Sequence, residues 1–296
     1  MILLDGKSAA EEIKVELKQE ITELGYVPRL AIVMVGKNSV SERFVLLKEK
    51  YAKDIGAETR RYEFDELVTT NELRARMNDI VHEPQNRGII VQLPLPVHID
   101  VQSILNTVVP EKDVDVLSAR AVGDFQVGKP RRIVGAPTSV SENKNSASEA
   151  KVMPPVVGAV KALFDKHSIE VKNKKVVVLG YGRLVGQPLS IWLLASGAQV
   201  TIISDEKQFD ASIIKNADIV ISGTGKPQFI KGEHIKEGAT VVDVGTSEMN
   251  GEVVGDVDFD SVSRVASFLT PVKGGVGPLT VAMVFKNLLT LAKLKK

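Results

Sequence analysis

The chain has 296 residues, 44% hydrophobic and 25% charged, an ordinary globular composition with enough length for two domains. A formal net charge of +1 offers no global field for nucleic acid or a membrane surface. With no cysteine, disulfides, thiolate metal sites and thiol nucleophiles are excluded, and His82, His98, His167 and His234 lack metal-ligand spacing.

Asp5 to Leu24 reads as an amphipathic helix, with Ala9, Ile13, Leu17 and Ile21 at helical spacing. "RLAIVMVG" (Arg29 to Gly36) is a buried strand. The helix behind it contains "SERFVLLKEK", in which Phe44 and Lys48 share a face, and Gly56 is its expected stop. "TTNELRARMNDIV" is a further helix, with Thr70 or Asn71 as its cap and Glu72 close behind. "RGIIVQLPLP" (Arg87 to Pro96) is a short buried strand halted by prolines, and "DVQSILNTV" is a helix. From Ser118 to about Val152 the period is lost, and Thr138 to Lys151 is a polar, low-complexity stretch read as an exposed or disordered loop. "VVGAVKALFDKHSI" resumes as a helix. Lys174 to Asp205 reads strand, glycine turn, helix, strand. Ala217 to Pro227 and Gly238 to Ser247 each hold a buried strand, and a final helix begins at "TVAMVF". Strands alternating with helices imply an α/β protein with parallel sheets. No apolar run reaches about 18 residues, so no membrane span is expected. The opening "MILLDGKSAAEEIKVEL" turns polar after four residues, and a cytoplasmic location is expected.

"VVVLGYGRLVG" is the strongest local signal. Gly180, Gly182 and Gly186 stand between a β-branched strand and an apolar helix, where backbone N–H groups can approach a pyrophosphate. Asp205 follows the next strand, where a carboxylate can hold the ribose hydroxyls of NAD. Arg183 could instead reach the 2′-phosphate of NADP. Gln92 is a polar residue in an apolar strand, satisfied by backbone or orienting a reacting group. Asp113 and Asp115, two apart, would face one side of an extended segment. "TPVKGGVGPLT" implies close backbone approach or a tight turn.

The order of these stretches is more specific than any one of them. S-x-x-F-V-x-x-K, V-Q-L-P-L-P, P-x-K-D-V-D, the glycine turn, D-V-G, G-D-V and T-P-V-x-G-G-V-G-P-x-T follow one another along the chain. In that order, from about Leu3 to Leu291, the sequence resembles the methylenetetrahydrofolate dehydrogenase/cyclohydrolase family. The resemblance implies two α/β domains flanking a cleft. Residues 1–152 would form a folate-binding catalytic domain with a polar insertion at about 138–151. Residues 153–270 would form a Rossmann-type NAD(P)-binding domain, and 271–296 a C-terminal helix returning to the first. It implies oxidation of 5,10-methylenetetrahydrofolate with NADP or NAD, hydrolysis of the methenyl product to 10-formyltetrahydrofolate, and a homodimer with no nucleic-acid or membrane partner. Lys48 takes the position of the catalytic lysine, Gln92 that of its partner, and Asp115 that of the pterin-binding carboxylate. Ser41, Phe44, Gly274, Gly275 and Pro278 fall at the folate side. Gly180, Tyr181, Gly182, Arg183, Asp205 and Thr246 fall at the cofactor side. Against the family pattern, a tyrosine is replaced by Phe44, a glycine by Val116 and a proline by Lys273. Two other readings stand beside this one: a non-catalytic homologue that binds nucleotide or folate, and a dehydrogenase of another small substrate.

Overall fold

The computed structural model describes residues 1–128, 152–205, 207, 209–249 and 252–294. The polar stretch from Thr138 to Lys151 lies outside them. In chain order the elements are β1 (Ile2–Leu3), α1 (Gly6–Leu24), β2 (Arg29–Val35), α2 (Ser39–Ile55), β3 (Glu58–Phe64), α3 (Thr70–His82), β4 (Asn86–Val91), α4 (Val101–Leu105), α5 (Ala119–Gln126) and α6 (Pro155–Lys166). There follow β5 (Lys175–Leu179), α7 (Gly186–Ala195), β6 (Gln199–Ile203), α8 (Ala211–Lys215), β7 (Ile219–Ser222), β8 (Thr240–Asp243), β9 (Ser247–Met249), β10 (Glu252–Val254), α9 (Phe259–Val262), β11 (Phe268–Leu269) and α10 (Val276–Lys293). The chain divides into two compact units, Ile13–Pro155 with Val281–Lys296, and Met1–Glu12 with Val156–Thr280.

The first unit holds a parallel sheet in the order β3-β2-β4. Every residue of β2 is buried, as expected of a central parallel strand covered on both faces. Its Ala31, Val33 and Val35 pack with Leu73, Met77 and Ile80 of α3 and with Ile89 and Val91 of β4. The edge strand β3, "ETRRYEF", carries exposed Arg60 and Glu63 and a half-buried Arg61 paired with Glu42 and Glu49, a composition that discourages edge pairing and hides the strand from a reading of apolar period. α3 is capped one residue earlier than expected. Thr69 accepts from the backbone N–H of Glu72, and the Glu72 side chain returns to the Thr69 backbone, a complete capping box. β4 ends at Val91, so Gln92 lies just past the strand rather than inside it. α5 occupies part of the stretch read as aperiodic; only Ala121 of it is buried, too little to leave a periodic trace.

The second unit is built on a six-stranded sheet in the order β1-β11-β8-β7-β5-β6, parallel at every pairing. The chain leaves β5 for β6 on one side and returns to β7 on the other. That reversal opens a crevice beyond the carboxyl ends of β5 and β7, where open α/β sheets hold ligands. Val177, Leu179, Val220, Val241 and Leu269 supply the sheet's part of the core. The last helix starts at Val276, inside the glycine-rich stretch. Among the described residues no helix is long and apolar enough to cross a membrane, and no group of three or more His, Cys, Asp and Glu could hold a metal ion.

Candidate functional site

In the first unit, α2 brings Ser41, Phe44 and Lys48 to one region. Asn38 caps the helix, its Oδ1 accepting from the N–H groups of Val40 (3.0 Å) and Ser41 (2.9 Å). Gly56 ends it with φ 84°, as expected. Ser41 is buried and its hydroxyl donates to the Leu93 carbonyl at 3.4 Å. Phe44 is half-buried one turn before Lys48. Tyr51 stacks on Phe285 with ring centroids 5.3 Å apart, so its ring is committed to the core.

Lys48 Nζ donates to Gln92 Oε1 at 3.0 Å. The other end of that amide, Nε2, donates to the Leu93 carbonyl at 3.0 Å, and the Gln92 N–H donates to Val33 O at 2.8 Å. Both ends of the side chain are therefore occupied, and its oxygen is held toward the lysine. Burial holds the Lys48 amine below the usual lysine range, and the charge of Asp115 partly opposes this. Burial pushes the Asp115 carboxyl up to about 6; Lys48 pulls it down and Asp113 pushes it further up. Lysine, amide and carboxylate thus meet in one place.

Asp113 and Asp115 do not share a role. Asp113 is buried and closes a turn, its carboxylate accepting from Leu117 N (3.1 Å), Ser118 N (2.9 Å) and Ser118 Oγ (2.7 Å). The turn is pinned to β4 by Ile89 N donating to Lys112 O at 2.8 Å. From α10, Asn287 Nδ2 donates to Val114 O at 2.8 Å. Val116, next to Asp115, is buried with φ 57°, a left-handed backbone that strains a β-branched residue. The replacement of glycine by Val116 falls where backbone geometry asks for glycine.

In the second unit, Gly180 has φ 86°, and a Cβ placed on it would lie 2.5 Å from the Gly223 carbonyl oxygen. Tyr181 and Gly182 are exposed, with open space around Gly182. Val185 precedes α7 with no side-chain cap, and the helix start is closed by backbone, Gln187 N donating to Gly182 O at 3.1 Å and Leu189 N to Val185 O at 3.2 Å. This turn fits a dinucleotide: an open surface, a close glycine and a helix start at the sheet's reversal point. Arg183 is half-buried in the same turn. Asp205 is exposed two residues past β6, its carboxylate accepting from Lys207 N at 3.0 Å. Thr246 is exposed after β8. Gly274 has φ 94° and its carbonyl accepts from Lys7 N at 2.8 Å. Gly275 is buried, packed against Gly6 so tightly that a Cβ on Gly6 would lie 1.8 Å from its oxygen. Pro278 sits in the first turn of α10, where proline is tolerated. Ser41, Phe44, Lys48, Gln92 and Asp115 belong to the first unit. The cofactor-side residues and Gly274, Gly275 and Pro278 belong to the second. Sequence reasoning passed over Asn287, Asp243 and Asp256; the signals were the D-V-G and G-D-V stretches, read only as order.

Comparison with known proteins matches residues 4–115 to the tetrahydrofolate dehydrogenase/cyclohydrolase catalytic domain and 154–296 to the NAD(P)-binding domain of the same family. The chain is 37% identical over 297 residues to the bifunctional protein FolD of Acetivibrio thermocellus, spanning 99% of this chain and 97% of that one. It superposes on the bifunctional FolD methylenetetrahydrofolate dehydrogenase/cyclohydrolase of Campylobacter jejuni with a TM-score of 0.89 at 34% identity, covering both chains in full. The Trypanosoma brucei enzyme, solved with NADP cofactor and an inhibitor, gives a TM-score of 0.87 at 35% identity over 99% of this chain and 97% of that one. The chain belongs to the tetrahydrofolate dehydrogenase/cyclohydrolase family.

Proposed function

We propose that this chain oxidises 5,10-methylenetetrahydrofolate with NADP or NAD and hydrolyses the methenyl product to 10-formyltetrahydrofolate, with Lys48, Gln92 and Asp115 as the groups that carry the chemistry. The observation behind this is the 3.0 Å bond from Lys48 to Gln92, beside a carboxylate close enough to shift the lysine.

A dinucleotide held at the turn from Gly180 to Arg183 would supply the hydride acceptor for the methylene carbon. The carbon then shares positive charge with both flanking nitrogens, and an ionised Asp115 stabilises that charge. Asp115 also accepts N–H donors of the pterin. In hydrolysis, water adds to the methenyl carbon and the Lys48 amine takes its proton. The bond from that carbon to N5 then breaks as the hydroxyl gives its proton to solvent and becomes the formyl carbonyl, and N5 takes the proton held by Lys48, leaving the formyl group on N10. Burial raises the neutral fraction of the amine, which can accept a proton only in that form. Gln92 orients the amine without adding a charge that would reverse the effect.

Ser41 and Phe44 on α2, with Gly274, Gly275 and Pro278, are assigned to the folate. The turn from Gly180 to Arg183, with Asp205 and Thr246, is assigned to the dinucleotide. Arg183 favours a 2′-phosphate and Asp205 a free ribose hydroxyl, so the two residues pull cofactor choice in opposite directions. The domain roles follow the same assignment: folate chemistry in residues 1–152, dinucleotide binding in 153–270, and a C-terminal segment 271–296 that serves the folate domain. We place the enzyme in the cytoplasm as a homodimer. The edge strand β6, which carries exposed Ile202, and exposed Leu194 on α7 support a self-association surface. Lys48→Ala tests the central assignment: methenyl hydrolysis, followed by loss of methenyl absorbance, is expected to fall at least about 100-fold. Hydrolysis at the wild-type rate would refute it.

A further inference from the structure

We infer that Asp256 is a positioning residue for the dinucleotide site, holding the turns after β7 and β8 in the placement that the Gly180 turn requires. The inference rests on the assignment of the dinucleotide to the carboxyl ends of β5 and β7.

Asp256 is fully buried. Its Oδ2 accepts from Ser222 Oγ at 2.8 Å and from Thr224 N at 2.6 Å, which fixes the end of β7 and the turn beyond it. Its own N–H donates to Asp243 Oδ1 at 3.2 Å, the same oxygen that takes Gly245 N at 2.9 Å. Val257 N donates to the other oxygen of Asp243 at 2.9 Å. Two buried carboxylates therefore tie three backbone segments together: 222–224, 243–245 and 256–257. On the outer side Ser247 Oγ donates to Gly225 O at 2.8 Å, joining the same two turns again.

The tie reaches the glycine turn through Gly223. Its N–H donates to Leu179 O at 2.9 Å, and its carbonyl sits against the Cα of Gly180 with no room for a Cβ. A shift of Thr224 would carry Gly223 with it and press on Gly180. Asp256 Oδ1 has no hydrogen-bond partner, and Gly245 packs directly on it. A buried carboxylate oxygen without a donor is costly, and a neutral acceptor would serve Ser222 and Thr224 more cheaply. What the charge adds is strength in the two bonds that hold the β7 turn, and 2.6 Å at Thr224 is short enough for a charge-assisted bond.

The test is Asp256→Asn, which keeps an acceptor for both donors and removes the charge. Dehydrogenase turnover is measured with the dinucleotide and methylenetetrahydrofolate varied separately, and methenyl hydrolysis, which consumes no dinucleotide, is measured in parallel. The expected result is a KM for the dinucleotide raised about tenfold, with kcat, the folate KM and the hydrolysis rate each within about twofold. A merely structural role would lower both activities together, and that outcome overturns the inference, as does an unchanged dinucleotide KM. Ser222→Ala decides the matter where Asp256→Asn does not fold. It removes one donor and leaves the carboxylate, and a dinucleotide KM raised about threefold with hydrolysis intact supports the role, while no change overturns it. Gly182→Asp, an anion placed in the open part of the turn, checks the dinucleotide assignment itself. If it leaves the dinucleotide KM unchanged, the assignment fails. If it raises that KM and Asp256→Asn does not, the inference alone fails.

Discussion

Each unit holds a pair of aspartates in which one carboxyl is pushed up to about 6 by burial and by the other: Asp115 beside Asp113, and Asp243 beside Asp256. The similarity ends there. Asp115 keeps some exposure and faces an amine, whereas Asp243 is buried and accepts from the backbone N–H groups of Gly245, Asp256 and Val257. The perturbed value alone does not separate chemistry from architecture. Access and the kind of partner do: a lysine amine on one side, backbone donors on the other.

The largest effect that would break this contrast is at Asp115. Asp115→Asn is expected to lower dehydrogenase and hydrolase turnover at least about 100-fold while leaving the thermal midpoint at neutral pH no lower than wild type. The sign follows from the raised value. A carboxyl with a folded pKa of about 6 and an ordinary value of 3.8 stabilises the fold below about 3.8 and loses that contribution as pH rises through about 6. Above that range the ionised group is a burden that asparagine lacks. A variant that lost stability and activity in proportion would put Asp115 in the architectural class.

At Asp243 the order is reversed. Asp243→Asn should destabilise the protein, because one oxygen that accepts backbone N–H groups becomes an amide donor. The gap from wild type should narrow by about 2 kcal/mol between pH 4 and pH 7, since wild type alone loses the proton-linked contribution over that window. Urea unfolding at the two pH values measures it, and a gap independent of pH would remove Asp243 from the comparison.

Val116 gives a smaller effect. Val116→Gly relieves a left-handed backbone but loses a buried side chain, so its net cost is expected to stay below about 1 kcal/mol. Val114→Ala, buried two residues away without that strain, should cost about 2 kcal/mol. Equal losses at the two positions would mean that Val116 sits without strain. The smallest expected change is at Phe44, where Phe44→Tyr restores a hydroxyl one turn from Lys48. Hydrolysis should rise about threefold with dehydrogenase kcat unchanged, and a rise in both would move the effect from proton handling to folate binding.

The meeting of Lys48, Gln92 and Asp115 was legible because they sit in stretches whose order is specific, and because β2, α2 and β4 have clear apolar periods. β3 was not legible, since an edge strand with Arg60, Arg61 and Glu63 offers the core only Tyr62 and Phe64 at its end. α5 escaped for a similar reason, with one buried residue. The roles of Asp113 and Asp256 depend on donors that only the folded backbone supplies: Leu117 N four residues on, and Thr224 N from a different strand end. Spacing carries no record of such partners. Thr69 rather than Thr70 as the cap of α3 is a matter of one residue, decided by which hydroxyl reaches the N–H of Glu72.

α10 belongs to both units, and its later residues complete the core around the proposed catalytic turn. Phe285 stacks on Tyr51, Asn287 holds the Val114 carbonyl, and the Ala292 carbonyl accepts the Tyr26 hydroxyl at 2.9 Å. On the ribosome, α2, β4 and the turn bearing Asp115 are therefore made long before the helix that locks them exists. At roughly 5–20 residues per second, the nascent chain waits about 10–30 seconds with that turn unfastened. The order of manufacture runs opposite to the order of need, and the groups made early are fastened only once α10 has been made.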